Sequence, residues 1–320
     1  MTNFQVYKKT ISFSLVGFLV DLLALAILVG LSTAGYFLFE KINGMALLGL
    51  AIGFVVAVIA CVLISIFISN RIKAAQIAMM TKGVNGEELP EHTYKEGLNH
   101  IKGRFGKITL FFLITNSIKG IFRQIGQTMT GIGKAVGGQV GEGVAGAIDS
   151  AVQTLIGYLC DCCLGWIFYR EEINAFKAGC EGCVIFFKHG KTLIRNVGRI
   201  FGMGFLSFLL IGGAFFGVSY LVFTQFPNMF ISLSNEIMQL DMDEAAREFL
   251  SNPQYLMLFV AGIGAIVIWS MFHSVLIRPF ILVGVLRNFL EAGKQDIPNE
   301  ADIADLEKRA PRMAKLSSRM

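Results

Sequence analysis

From Ile11 to Phe39 the chain runs for 29 residues with Asp21 as its one charge. A helix rises about 1.5 Å per residue and the hydrocarbon core of a bilayer is about 30 Å thick, so about 20 apolar residues suffice to cross it. The apolar part of a secretory leader has only about 7 to 15 residues, so the run predicts a retained first span. Ala46 to Ile68 is a second run, 23 residues without a charge. Ile200 to Phe226 and Tyr255 to Ile277 are the third and fourth. The last ends at Arg278-Pro279, where a snorkelling guanidinium and a proline mark an interface.

Two further segments are ambiguous. Residues 108–122 hold a short apolar stretch that meets Lys119, and residues 151–169 form a 19-residue stretch interrupted by Asp161. Lys and Arg favour the cytoplasmic side of a membrane. Residues 70–107 hold seven of them, 170–199 hold six, 286–320 hold seven and the N-terminal segment holds two. If both ambiguous segments cross, 22 of the 28 basic residues lie inside, with both termini cytoplasmic. The expected fold is therefore an all-α, polytopic integral membrane bundle of six spans, with four as the alternative. Spans fall at about 11–39, 46–68, 108–122, 151–169, 200–226 and 255–277, within a transmembrane domain of residues 1–290. A charged cytoplasmic tail occupies 291–320 and reads as a short solvated helix.

Composition agrees with this pattern. The chain has 320 residues, of which 54% are hydrophobic and only 16% charged. A soluble domain carries about 25% charged residues. The net charge of +5 belongs to the loops that set orientation, and no nucleic-acid partner is implied. Between Pro227 and Asn252 five acidic residues stand against Arg247 alone, as suits an outer loop. Phe230, Leu233, Ile237 and Leu240 recur there at helical spacing and predict an amphipathic helix.

Intramembrane carboxylates carry the first candidate chemistry. Burying Asp21 or Asp161 in hydrocarbon is costly unless the group is paired, protonated or wet. Each is expected about 12 to 15 Å below the cytoplasmic interface, where two carboxylates could bind a cation or relay protons. Tyr158, Trp166 and Tyr169 lie close to Asp161 in sequence, and aromatic faces beside a carboxylate suit an organic cation. Structural pairing of the aspartates, or simple exposure at a helix end, is the alternative.

Gly133, Gly137 and Gly141 stand four apart and Ala145 continues the row, a small-residue face that lets another backbone approach. It is the expected seat of close helix packing or of a homo-oligomer. Cys160, Cys163, Cys180 and Cys183 make a C-x2-C-x16-C-x2-C pattern within the spacing of a four-thiolate zinc site. Their apolar setting disfavours burying charged thiolates, so reduced, packed thiols are expected rather than a metal; acylation of juxtamembrane thiols is a further option. No H-E-x-x-H, G-x-S-x-G or Walker A motif occurs, so neither an enzyme nor a cofactor is expected.

Several short pieces resemble the choline transporter-like family. They are Cys162-Cys163 followed by Asn174-Ala175-Phe176, Arg195-Asn196 before a span, Gly264 with Phe272-x-Ser274-Val275, and Phe289-Leu290-Glu291. Together they cover about 40% of the chain, the C-terminal part, and the chain lacks room for the family's additional spans and large outer domain. The resemblance implies transport of choline or a related amine. The function expected from the sequence is thus a plasma-membrane transporter or channel-like permeation unit for a small cation or amine, with a non-catalytic membrane scaffold as the other reading.

Overall fold

A computed structural model describes residues 1–43, 45–105, 110, 113–124, 142–238 and 243–320. The regular structure of the described residues is entirely helical, without strands. Four helices are long and apolar enough to cross a membrane: Asn3–Ile42, Leu48–Val84, Ile200–Phe223 and Pro253–Gln295. The chain divides into two compact units, one of Met1–Gly198 with Pro279–Met320 and one of Arg199–Arg278.

The first unit begins with an antiparallel hairpin of α1 (Asn3–Asn43) and α2 (Ala46–Ile64). Gly49, Gly53, Ala57 and Cys61 recur every fourth residue of α2 and form a strip of small side chains facing α1. A Cβ on Gly35 would lie 2.2 Å from the Gly49 carbonyl oxygen, and one on Gly53 would lie 2.3 Å from that of Leu31. Cys61 closes the strip with a thiol hydrogen bond of 3.3 Å to the Ala24 carbonyl. The two backbones approach this closely only because the side chains between them are missing. Outside the strip the hairpin and the turns that follow it present large apolar side chains to their surroundings, from Leu15 to Ile68.

Beyond a π-helical segment, Ser65–Ser69, the same helix continues as α3 (Asn70–Val84), and its surface changes character: eleven of its fifteen residues are buried. Gln76 on α3 donates to the Ser14 hydroxyl at 2.8 Å and to the Thr10 carbonyl at 3.3 Å, tying the first turns of α1 to it. Across both lies α4 (Thr93–Phe105), close enough that a Cβ on Gly97 would meet the Phe13 ring at 2.7 Å.

A helix of residues 113–124 (α5) buries Ile114, Ile118, Ile121 and Phe122 in this unit. So does the C-terminal half of α6 (Glu142–Tyr169), where Tyr158 and residues 160–168, apart from the side-chain-less Gly165, are all buried. Gly165 passes between Thr81 of α3 and Leu286 of α12 (Arg278–Gln295). Antiparallel to α6 runs α7 (Ala175–Ser207), with a kink at His189. The sequence offered 108–122 and 151–169 as crossings; the described part of each is packed inside the first unit and neither is among the four long apolar helices.

The tail from residue 291 belongs to the same unit and is not a solvated appendage. In α13 (Glu300–Arg309) Ile303 and Leu306 are buried, as are Met313 and, in α14 (Ala314–Ser317), Leu316. Spacings of three and four residues put these on one face, and that apolar face is the reason the helix docks. Arg312 donates to the Gly120 carbonyl of α5 at 3.3 Å. At the other terminus, Arg287 of α12 holds Asn3 at 2.6 Å and the Met1 carbonyl at 2.8 Å.

In the second unit the end of α7, a π-helical segment Phe208–Gly212 and α8 (Gly213–Phe223) pair with α11 (Pro253–Phe272). The Trp269 indole donates to the Ser207 hydroxyl at 3.2 Å and its ring meets Phe208 edge-on. The linking segment holds two helices where the sequence suggested one, α9 (Pro227–Ile237) and α10 (Glu244–Ser251). From α9, Phe230 is buried against Leu256 and Met257.

Candidate functional site

Asp161 is the buried carboxylate around which the candidate chemistry was built. Its side chain is 7% exposed, and the ammonium of Lys73 lies 2.8 Å from its Oδ1. Lys73 arrives from α3 just past the π-helical segment and keeps 40% of its side chain exposed, so it reaches the carboxylate from a wetter rim. Asn70, Thr115, Asn116 and Lys119 join the pair around a cavity of about 70 Å³, room for about two waters. Two ammonium groups and one carboxylate leave this cavity without spare negative charge. The place a bound cation would take beside Asp161 is filled by the chain's own lysine.

Trp166 does not join that carboxylate. Positions five apart on an α-helix point about 140° from each other, which sends Trp166 away from Asp161. The Trp166 ring is fully buried, under Gly293 of α12 and beside Ile185 of α7. Its Nε1 donates to the Glu181 carboxylate at 2.9 Å, and Arg170 approaches the same oxygen at 3.7 Å. Arg170 also lies over the Trp166 ring at 5.9 Å from its centroid, while Lys294 lies 5.0 Å from the centroid of Tyr169. Both rings already have a cation from this chain. Tyr158 is buried.

Asp21 belongs to the hairpin. Gly35 faces Gly49, Leu31 faces Gly53 and Ala24 faces Cys61, a register that sets Asp21 opposite Ile64. Lys73, which meets Asp161, lies nine residues farther along that helix, about 14 Å away. Asp21 is half-buried within an apolar stretch, and the two aspartates do not share a depth.

The thiols of Cys160, Cys162, Cys163, Cys180 and Cys183 are buried and reduced. A Cβ on Gly182 would lie 3.2 Å from Cys163, so α6 and α7 meet through small residues here. Burial pushes the Cys180 thiol well above its ordinary range, and the charges of Cys183, Glu307 and Glu181 add to the effect. A thiol so held resists the deprotonation that metal ligation needs. Among the described residues no group of three His, Cys, Asp or Glu could hold a metal ion. The row Gly133, Gly137 and Gly141 lies outside the described residues.

One side chain that sequence reading passed over shapes the site more than the aromatics do. Arg104, at the end of α4, donates to the carbonyls of Ile167, Arg170, Glu171 and Ile173, at 3.2, 2.9, 3.2 and 2.9 Å. These carbonyls close α6 and its turn into α7 and have no amide ahead of them in the helix. One guanidinium fork thereby fixes the end of the helix that carries Asp161 and Trp166. No family model, no curated protein and no solved structure matches the chain.

Proposed function

We propose that the protein is a non-catalytic scaffold of the plasma (cytoplasmic) membrane, anchored by four crossings arranged as two helical hairpins. Its helical body and both termini stand on the cytoplasmic side. One observation carries this reading: the segregation of exposed apolar surface. Apart from Phe4, Ile297 and Met320, every large exposed apolar side chain among the described residues falls between Leu15 and Ile68 or between Phe205 and Val267. Surface of this kind is stable against lipid and unstable against water.

Charge follows the same division. With four crossings, Lys41 and Arg247 alone fall on the outer side, so 26 of the 28 basic residues stay inside, against 23 if residues 108–122 and 151–169 also cross, with Arg278 counted inside both times. The four-crossing arrangement therefore obeys the positive-inside bias better than the six-crossing one. As a scaffold the protein would act through association, with further copies of itself or with other chains at the membrane.

Single cysteines introduced at positions 82, 137 and 244 test the topology with an impermeant thiol reagent. Positions 82 and 137 are expected to react from the cytoplasmic side and 244 from the outside. Labelling of 137 from outside restores six crossings, and labelling of 244 from inside overturns the orientation. A second reading, a permeation unit for a small cation or amine such as choline, draws on Asp21, an acidic group in the middle of an otherwise apolar hairpin. Cation or choline uptake into proteoliposomes that Asp21→Asn abolishes would favour it over the scaffold.

A further inference from the structure

Between the first turns of α1 and the start of α4 lies a cleft of about 610 Å³, lined by Lys8, Lys9, Ser12, His92, Tyr94 and Lys95. The three lysines are exposed, and none forms an ion pair among the described residues. Glu91 is the one carboxylate on its wall, so the cleft carries an excess of two positive charges with His92 neutral. The first turn of α4, Thr93 to Lys95, lines the same cleft, and the helix dipole makes that end attractive to an anion.

We propose that this cleft binds the phosphate headgroup of an anionic phospholipid. The inference rests on the reading of α1 as a membrane-crossing helix, and its position on that helix selects a lipid over a free phosphate ester. Lys8, Ile11, Ser12, Leu15 and Leu19 follow one another at short intervals and share one face of α1. Lys8, Ile11 and Ser12 line the cleft, while Leu15 and Leu19 are 52% and 63% exposed. The cleft thus opens along the helix directly onto the apolar surface. From Lys8 to Leu15 the rise is about 10 Å, the step from headgroup phosphates to the upper acyl chain. A phosphate held by Lys8, Lys9 and Lys95 leaves its acyl chain to run down Leu15 and Leu19. The Ser12 and Tyr94 hydroxyls offer polar contacts to the glycerol or headgroup.

Full-length protein in detergent, titrated with phosphatidylglycerol or phosphatidylcholine and followed by native mass spectrometry, tests this. Phosphatidylglycerol is expected to be retained on the order of tenfold more tightly than phosphatidylcholine. Replacing Lys8, Lys9 and Lys95 together by Gln removes the preference, whereas Lys315→Gln with Arg319→Gln at the far C-terminus leaves it intact. Glycerol phosphate in large molar excess does not displace the lipid. Equal retention by parent and triple variant overturns the proposal, and so does displacement by glycerol phosphate, which would assign the cleft to a soluble phosphate ester. The exposed lysines carry no packing, so an unchanged thermal midpoint certifies the triple variant as folded. A spin label at position 19 separates the two premises. An aqueous signal there defeats the membrane reading of α1; a lipid signal combined with undiminished retention by the triple variant defeats the cleft alone.

Discussion

Lys73 sets its ammonium 2.8 Å from the carboxylate of Asp161, and the two members of this pair are unequally buried, at 40% and 7% exposure. The inequality makes their replacements unequal. Lys73→Met takes the ammonium from a carboxylate that stays inside, whereas Asp161→Asn leaves an ammonium that can turn to water. Breaking a fully buried pair costs about 3 to 5 kcal/mol, and the exposure of Lys73 brings the expected loss down to about 1 to 2 kcal/mol for Asp161→Asn, with Lys73→Met the costlier. Thermal unfolding of both single variants and the double variant measures this. Strictly additive losses would mean that the pair contributes nothing as a pair.

The contact of Gly35 with Gly49 predicts a position-specific response in the hairpin. Gly49→Leu places a side chain where the Gly35 carbonyl oxygen stands, and overpacking of this kind costs about 1 to 3 kcal/mol. At Gly17 and Gly30 an added Cβ meets nothing within 4 Å, so Ala is expected to be tolerated there. Unfolding midpoints in detergent compare the three sites. Equal losses at Gly30 and Gly49 would show that the hairpin is not packed through the strip.

Arg104 serves four carbonyls at once, which makes it hard to replace. Arg104→Ala is expected to cost about 2 kcal/mol, and Arg104→Lys to recover less than half of that, because one ammonium cannot reproduce the planar fork. Hydrogen exchange across residues 165–175 reads the local effect, and full rescue by Lys would reduce the role of Arg104 to its charge.

Docking of α13 is expected to weaken in acid. Asp302 accepts from the Asn299 amide in a capping box and from Lys188 at 2.8 Å, and these contacts hold its carboxyl below the usual carboxylate range. A carboxyl with a lowered folded-state pKa stabilises the fold fully above its unfolded value of about 3.9, and the contribution fades as pH falls through the lower one. Amide protection in α13, relative to the intrinsic exchange rate at each pH, should therefore fall below about pH 4, and Asp302→Asn should bring faster exchange already at neutral pH. Identical exchange in parent and variant at neutral pH would detach the tail's stability from this carboxylate.

How much of this was legible in the sequence depends on the kind of signal. The four long apolar helices follow from length and the scarcity of charge, which no soluble helix imitates over more than about 20 residues. Residues 151–169 are a different case. A helix enclosed by other helices has the same composition as one enclosed by lipid, and periodicity does not tell them apart. What separates them is Lys73, which comes from a distant part of the sequence to meet Asp161. Trp166 is a simpler case, because nearness along a helix is not nearness in space. The apolar positions Ile303, Leu306, Ala310 and Met313 did announce that the tail docks, but its charges outweighed them. The strip of Gly49, Gly53, Ala57 and Cys61 was visible at every fourth position and was masked by the apolar run around it.

The unbroken passage of α2 into α3 has a mechanical consequence. From Ala46 to Val84 the helix has 39 residues and a length of about 58 Å, nearly twice the thickness of the hydrocarbon layer. One end exposes large apolar side chains and the other is walled in by α1, α4 and α6. A rod held in this way cannot slide to suit a thicker or thinner bilayer. The mismatch has to be taken up as tilt, and the π-helical turns of Ser65–Ser69 stand where the rod leaves its lodging. With the apolar part placed in a bilayer as proposed above, a change of membrane thickness would reach the body of the protein as a bending force.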